Sequence, residues 1–141
     1  MDIIQLMKLA FDRQASDLHI TVHSPPIVRI DGQLQAAGEG PLTPEQTLQM
    51  ARILMDDGQF ELFISKGDLD FAYGIPGAAR YRINAYRQKN NVSLAIRLIP
   101  AAIPAIEALR LPSIAREFAA KPQGLLLVTG PTGSGKSTTL A

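Results

Sequence analysis

Cysteine and tryptophan are absent from this 141-residue chain, and aromatic residues of all kinds make up only 6%. Without cysteine there is no disulfide scaffold and no thiolate metal site, which fits a reducing compartment. No apolar run approaches the ~18 residues of a membrane-spanning helix. The start, Met1-Asp2-Ile3-Ile4, has no basic stretch ahead of an apolar one and does not read as a signal peptide. Neither sign of charge is in excess: 14 Lys+Arg meet 13 Asp+Glu, for a net charge of +1. A molecule-wide basic field for nucleic acid is thereby excluded, while a local patch is not. The chain is 46% hydrophobic and 19% charged, so it can bury a core and is not disordered by composition. Its length suits one ordinary domain, or one small domain and a piece of another.

The apolar pattern predicts an α+β domain at the front of the chain. Ile3, Leu6, Met7, Ala10 and Phe11 have the spacing of one helix stripe, with Asp2 as a cap. Leu18, Ile20 and Val22 alternate with Asp17, His19 and Thr21, the pattern of a half-buried strand. Ser24-Pro25-Pro26 breaks it. Ile27–Ile30 and Gln33–Ala37 then read as a hairpin turned at Asp31-Gly32, where both central residues tolerate positive φ. Thr43-Pro44-Glu45-Gln46 is a helix start with a capping box and proline at the first helical position. Leu48, Ala51, Leu54 and Met55 are its expected buried stripe, and Asp57-Gly58 its expected end. A short helix from Gln59 to Ser65 is expected next, with Gly67 beyond its end. Leu69, Phe71 and Tyr73 alternate as a strand, Gly74-Ile75-Pro76-Gly77 is a turn, and two longer strands follow, Ala79–Gln88 and Asn91–Ile99.

Pro100 and Pro104 bracket a Pro/Ala segment that reads as a domain boundary. The expected division is an N-terminal domain over 1–100, a linker over 101–112, and a second domain from 113 to 141. In the last part, a helix from Ser113 to Ala120 precedes the apolar run Leu125–Thr129. That run reads as a strand buried on both faces, as in a parallel α/β sheet.

Directly after it, Gly130-Pro131-Thr132-Gly133-Ser134-Gly135-Lys136-Ser137 matches the phosphate-loop pattern G-x-x-x-x-G-K-[ST] at every fixed position. A chance match in a chain of this length is on the order of one in a few hundred. Glycines let such a loop curl so that successive backbone N–H groups face one anion. The helix that Ser137 and Thr138 can begin adds its positive end. Lys136 can reach the β- and γ-phosphates of ATP, and Ser137 offers a hydroxyl to Mg²⁺. A bare strand–helix turn would need neither the lysine nor the serine. Hydrolysis also needs a carboxylate for Mg²⁺ and a group that orients water, and both normally lie well downstream. The chain stops four residues after Ser137. It therefore reads as part of a longer enzyme, with little or no ATPase activity by itself.

Charge is segregated within the neutral total. Arg80, Arg82, Arg87, Lys89 and Arg97 lie in a stretch without acids, whereas Asp56, Asp57, Glu61, Asp68 and Asp70 outnumber Lys66 before it. Strand alternation places Arg82, Asn84 and Tyr86 with Ser93, Ala95 and Arg97 on one face, opposite Tyr81, Ile83 and Ala85 with Val92, Leu94, Ile96 and Leu98. If the turn centres on Lys89-Asn90, Arg82 sits directly opposite Arg97; if on Asn90-Asn91, the two are diagonal neighbours. A one-residue slip would set apolar against polar. Opposed like charges are unfavourable, and two readings follow. The pair meets an anion from elsewhere as a phosphate clamp of arginine fingers. Alternatively Asp68 or Asp70 neutralises them, or water solvates them. His19, on the polar face of its strand, and His23, in a Pro-flanked turn, lack the cysteines or clustered acids of a metal site. His19 is expected to make a structural hydrogen bond or an inter-subunit contact.

Taken in order, Ala15-Ser16-Asp17-Leu18-His19-Ile20, Arg29-Ile30-Asp31-Gly32, Asp68-Leu69-Asp70-Phe71-Ala72-Tyr73, Arg82-Ile83-Asn84 with Arg97, and Gly124 through Leu140 resemble the type IV pilus and type II secretion ATPase family. The likeness is greatest to its twitching-motility (PilT-type, pilus retraction) branch and covers nearly the whole chain. It implies a PAS-like N-terminal domain with an antiparallel sheet, a short linker, and the opening of a RecA-like α/β motor domain. It also implies a homo-hexamer that binds ATP and Mg²⁺ between the two domains, with Arg82 and Arg97 as arginine fingers at the γ-phosphate and nucleotide-driven rotation between domains as the force-generating step. Residues 130–138, including Thr138, would hold the nucleotide. The implied location is cytoplasmic, at the inner-membrane face of the pilus machinery. An inner-membrane platform protein would be the partner, membrane association would come only through partners, and no nucleic acid would be bound. Assembly and secretion ATPases carry a further domain before the Ser-Asp-Leu-His region, which begins here 15 residues after Met1, so the retraction branch is expected. The alternatives are a pilus-assembly or type II secretion ATPase, a PAS-like sensory or docking module, and a nucleic-acid motor. The few aromatics weaken the PAS-like module, and the confinement of basic charge to one hairpin weakens the nucleic-acid motor.

Overall fold

The computed structural model describes residues 2–76, 79–99, 106–109, 111–131 and 134–140, with only the backbone of Ser137. The chain divides into two compact units, Met1–Ala101 and Ala102–Ala141.

The first unit is an α+β domain. In chain order it holds α1 (Ile3–Asp12), β1 (Asp17–Ile20), β2 (Ile27–Ile30), β3 (Gln33–Ala36), α2 (Pro44–Leu54), α3 (Asp57–Lys66), β4 (Asp68–Gly74), β5 (Arg80–Gln88) and β6 (Asn91–Ile99). The strands form one sheet in the order β3-β2-β1-β6-β5-β4, and all its pairings are antiparallel. Local chemistry explains most of the element ends. Asp31 and Gly32 take φ of 49° and 80° between β2 and β3, as a tight two-residue hairpin requires. Lys89 and Asn90 do the same at 49° and 65°, so the β5–β6 turn centres on them and Arg82 stands directly opposite Arg97. The Thr43 Oγ1 accepts from the Gln46 N–H at 3.3 Å, and the Gln46 side chain accepts from the Thr43 N–H at 2.8 Å. Gly67 ends α3 at φ 78°, where a Cβ would be strained, and its N–H donates to the Phe63 carbonyl at 2.7 Å.

One face of the sheet carries the core. Leu18, Ile20, Val28, Phe71, Tyr81, Ile83, Ala85, Val92, Leu94 and Ile96 join Ile3, Leu6, Met7 and Ala10 of α1, Met50, Ala51 and Leu54 of α2, and Phe63 of α3 in one buried cluster. Each fully buried large side chain contributes about 1.5–3 kcal/mol relative to exposure. The Tyr81 hydroxyl donates to the Met7 carbonyl at 3.2 Å, tying β5 to α1. Burial, with Asp12 adding to it, pushes that phenol's pKa up.

Some expectations are corrected. Leu48 lies 40% exposed, and the stripe of α2 is Thr47, Met50, Ala51 and Leu54. Thr47 can turn inward because its hydroxyl donates back to the Pro44 carbonyl at 3.1 Å. Phe11 is exposed at the end of α1. Val22 lies past the end of β1 and makes only an isolated bridge with Leu42. Asp57-Gly58 does not close a helix but opens α3. Asp56 is its cap, accepting from the Gln59 N–H at 2.8 Å while Gln59 accepts from the Asp56 N–H at 3.2 Å.

The second unit holds α4 (Ile114–Ala119) and α5 (Lys136–Leu140). The expected strand over 125–129 has no regular structure, and Leu125 is 86% exposed. A strand exists through its ladder, and among the described residues none pairs with this run. The Pro100–Pro104 boundary and Gly77 of the expected turn lie outside the described residues.

Candidate functional site

Sheet register builds a charged row across the open face. Arg29 on β2 pairs with Asp17 on β1, Asp17 with Arg97 on β6, and Arg97 with Arg82 on β5. Two residues along, His19, Ala95, Asn84 and Asp70 form the neighbouring row across β1, β6, β5 and β4. Between the rows lies an open depression of about 340 Å³, lined by Asp17, His19, Asp70, Arg82, Asn84, Ala95 and Arg97. Ala95 is the small residue amid these longer ones, so no side chain fills the middle.

Each arginine here has a carboxylate. Arg97 Nε donates to Asp17 Oδ1 at 3.2 Å, and Arg82 Nη2 lies 3.5 Å from Asp70 Oδ2. The Arg29 Nε lies 3.5 Å from Asp17 Oδ2, which also accepts from the Ser16 hydroxyl at 2.8 Å. Burial acts to raise the Asp17 pKa, but Ser16, Arg97 and His19 outweigh it and hold the carboxyl below the ordinary aspartate value. The Arg82 and Arg97 side chains are 66% and 72% exposed, so both face solvent and neither ion pair is a strong structural tie. Asn84 Nδ2 donates to Asp68 Oδ1 at 2.8 Å. The other basic residues of the stretch serve elsewhere: Arg87 Nη2 donates to the Ile64 carbonyl at the end of α3, and Lys89 sits in the hairpin turn. Thus three guanidiniums and one carboxylate share the first row, Asp70 reaches Arg82 from the second, and Arg82 and Arg97 are the adjacent pair with no carboxylate between them.

Both earlier readings of the pair have a foothold. Asp70 meets Arg82, as the neutralisation reading anticipates. Asp17 as the partner of Arg97 was not foreseen, nor was Arg29 beside it, because β1 and β6 are far apart in sequence. His19 does lie on the polar face and lines the depression, but its Nε2 is buried without a hydrogen-bond partner among the described residues. The expected structural hydrogen bond is not made at that atom.

In the second unit, Lys136 folds back over the glycine loop. Its Nζ donates to the carbonyls of Gly130 at 2.8 Å and Pro131 at 2.6 Å. A Cβ at Gly130 would meet the Ser134 Oγ at 2.6 Å, so a larger residue there would have to push that hydroxyl aside. Gly135 opens α5 at φ 86°. Thr132 and Gly133 lie outside the described residues, as does the Ser137 side chain, and Thr138 is exposed. The loop fits a polyphosphate: an ammonium resting on neutral carbonyls has a stronger partner in a phosphate oxygen. For Mg²⁺, a serine hydroxyl is a hard oxygen donor of the right class.

The family described as "Type II/IV secretion system protein" matches residues 2–141. This chain belongs to that family. Over all 141 residues it is 38% identical to the type IV pilus retraction ATPase PilT of Pseudomonas aeruginosa, covering 41% of that protein. It is 36% identical to a twitching motility protein of Neisseria gonorrhoeae over 116 residues, 82% of this chain and 31% of that one. The crystal structure of the pilus retraction motor PilT with bound ADP superposes with a TM-score of 0.82 at 40% identity, covering 99% of this chain and 41% of the other. The chain thus spans about two fifths of the length of PilT. Among the described residues, no helix of this secretion-family chain is long and apolar enough to cross a membrane.

Proposed function

We propose that the chain is the N-terminal domain and phosphate loop of a hexameric ATPase that couples ATP hydrolysis to pilus retraction. The N-terminal domain covers 1–100, a linker 101–112, and the motor domain begins at 113. Family membership over the whole length supports an ATPase, and the likeness to PilT supports the retraction branch over pilus assembly or secretion. The observation that carries the mechanism is the pairing of Arg82 with Arg97 over an open depression, in a chain that also holds a phosphate loop.

In this reading Gly130 through Thr138 grip the phosphates of ATP, with Lys136 leaving the loop carbonyls for the β- and γ-phosphates. Ser137 would hold Mg²⁺, which would supply neutralisation of phosphate charge. Arg82 and Arg97 reach the γ-phosphate from an adjoining subunit. As water attacks and ADP leaves, negative charge spreads over the transferred phosphoryl oxygens, and the guanidiniums stabilise it there. Cleavage removes the group that both domains hold, which lets them rotate. The ring works in the cytoplasm against a platform protein of the inner membrane and takes no nucleic acid.

The test is turnover in a protein that carries this sequence at the relatives' full length. Lys136→Ala should abolish hydrolysis and weaken nucleotide binding. Unchanged turnover would overturn the phosphate-loop assignment, and robust turnover by the 141-residue chain alone would overturn its being only part of the enzyme.

A further inference from the structure

The two arginines of the depression are held in different ways. Arg97 is held side-on: its Nε donates to Asp17 Oδ1, and among the described residues its Nη groups have no partner. Arg82 is held by one nitrogen of its fork, with its Nη2 3.5 Å from Asp70 Oδ2. The carboxylates differ as well. Asp17 is 15% exposed, and its second oxygen is occupied by Ser16 and Arg29, so its orientation is set from β2 as well as β1. Asp70 is 53% exposed and has no second anchor among the described residues.

From this asymmetry we propose that Asp17 is a positioning residue that braces Arg97 with its guanidinium fork free for a phosphate, while Asp70 is a counter-ion that the same phosphate displaces from Arg82. The inference rests on the reading of the arginines as phosphate ligands and deepens it. An Nε contact leaves the paired N–H groups at the end of arginine open to a second anion, so Asp17 and phosphate can hold Arg97 together. Arg29 balances the Asp17 charge, which limits the carboxylate's repulsion of the incoming anion. An Nη contact takes up one nitrogen of the fork itself, so Asp70 and a phosphate that uses both nitrogens compete for Arg82. Fixing a long side chain beforehand spares its ordering cost on binding. Arg97 is thus a prepared ligand, and Arg82 one that must be exchanged.

Simple charge removal and bracing predict opposite signs at Asp17. Loss of any negative charge beside an anion site should tighten anion binding. Loss of a brace should weaken it. The experiment is a titration of the 141-residue chain with inorganic tripolyphosphate, in a Lys136→Ala background that silences the glycine loop, read at the Nε–Hε NMR signals of Arg82 and Arg97. Asp17→Asn should weaken binding by about 2–10-fold, whereas Asp70→Asn should tighten it by about 2–5-fold. Tighter or unchanged binding in Asp17→Asn overturns the brace, and weaker or unchanged binding in Asp70→Asn overturns the competition. Arg82→Gln/Arg97→Gln tests the underlying reading: if it binds tripolyphosphate as the parent does, the arginines are not phosphate ligands and the proposal falls with them. Should Asp17→Asn fail to fold, the Asp17-bearing chain still decides. The Arg97 Nε–Hε must then exchange with solvent more slowly than that of Arg82, and equal or faster exchange overturns the brace.

Discussion

Neutralising either arginine of the open face should separate activity from stability. Consider Arg97→Gln and Arg82→Gln. Each removes one half of an exposed ion pair, at 3.2 Å for Arg97 and 3.5 Å for Arg82, and such pairs are worth about 0.2–1 kcal/mol. Each also relieves the repulsion of two cations placed directly opposite one another, a gain of some tenths of a kcal/mol, on the order of 0.2–1. The two effects oppose, so the net change in stability should stay within about 0.5 kcal/mol. In a domain of this size that moves Tm by no more than about 4 °C. Arg97→Gln should sit at the costlier end, because the Asp17 it leaves is the more buried carboxylate. Catalysis should respond on a different scale. An arginine finger is worth about 10³–10⁵ in kcat, or roughly 4–7 kcal/mol of barrier. The assays are thermal unfolding of the 141-residue chain and steady-state ATP turnover in a protein of the relatives' full length. A turnover loss below tenfold in both variants would refute the arginine-finger assignment. A Tm drop large enough to account for the lost activity would show that the residues matter for folding alone.

The remaining predictions concern the domain itself. Tyr81→Phe removes the hydroxyl that donates to the Met7 carbonyl at 3.2 Å in the core and should cost about 0.5–1.5 kcal/mol by denaturant unfolding. A loss near zero would mean that this bond does not tie β5 to α1. Because the Asp17 pKa is depressed in the folded state, its contribution to stability is fully present above its unfolded value near ~4 and is lost as pH falls through the lower folded value. The stability difference between the parent chain and Asp17→Asn should therefore be constant at neutral pH and shrink on acidification below ~4. A difference that does not change with pH would exclude the charged pairings of Asp17 as its source.

Much of the fold was legible because it is local. The Asp31-Gly32 turn, the Thr43 cap and the Gly67 stop each follow from the backbone preferences of a few adjacent residues, whereas the β5–β6 turn was open between Lys89-Asn90 and Asn90-Asn91 until the structure placed it on the first. Two-residue periodicity by itself separates Tyr81, Ile83 and Ala85 from Arg82 and Asn84. The misreadings have physical causes. Thr47 is not among the apolar residues that periodicity picks out, yet its hydroxyl is satisfied within its own helix, which lets it replace Leu48 in the core. Asp57-Gly58 looked like a helix end, whereas Asp56 with Gln59 forms the cap that starts the next helix. The apolar run 125–129 had the composition of a strand, but composition supplies no ladder partner.

By itself, the order of residues determined the hairpin faces, the opposition of Arg82 to Arg97 once the turn was placed, and the match of Gly130–Ser137 to a phosphate-loop pattern, since each depends on neighbours within a short stretch. Only tertiary structure decided that β1 lies against β6, bringing Asp17 to a residue 80 positions away, and that Arg29 and His19 join the same surface. Strands so distant pair because their apolar faces fit one core under α1, α2 and α3. The charges on the opposite face are carried along by the pleat, and the partner of Arg97 is a consequence of how the buried side packs.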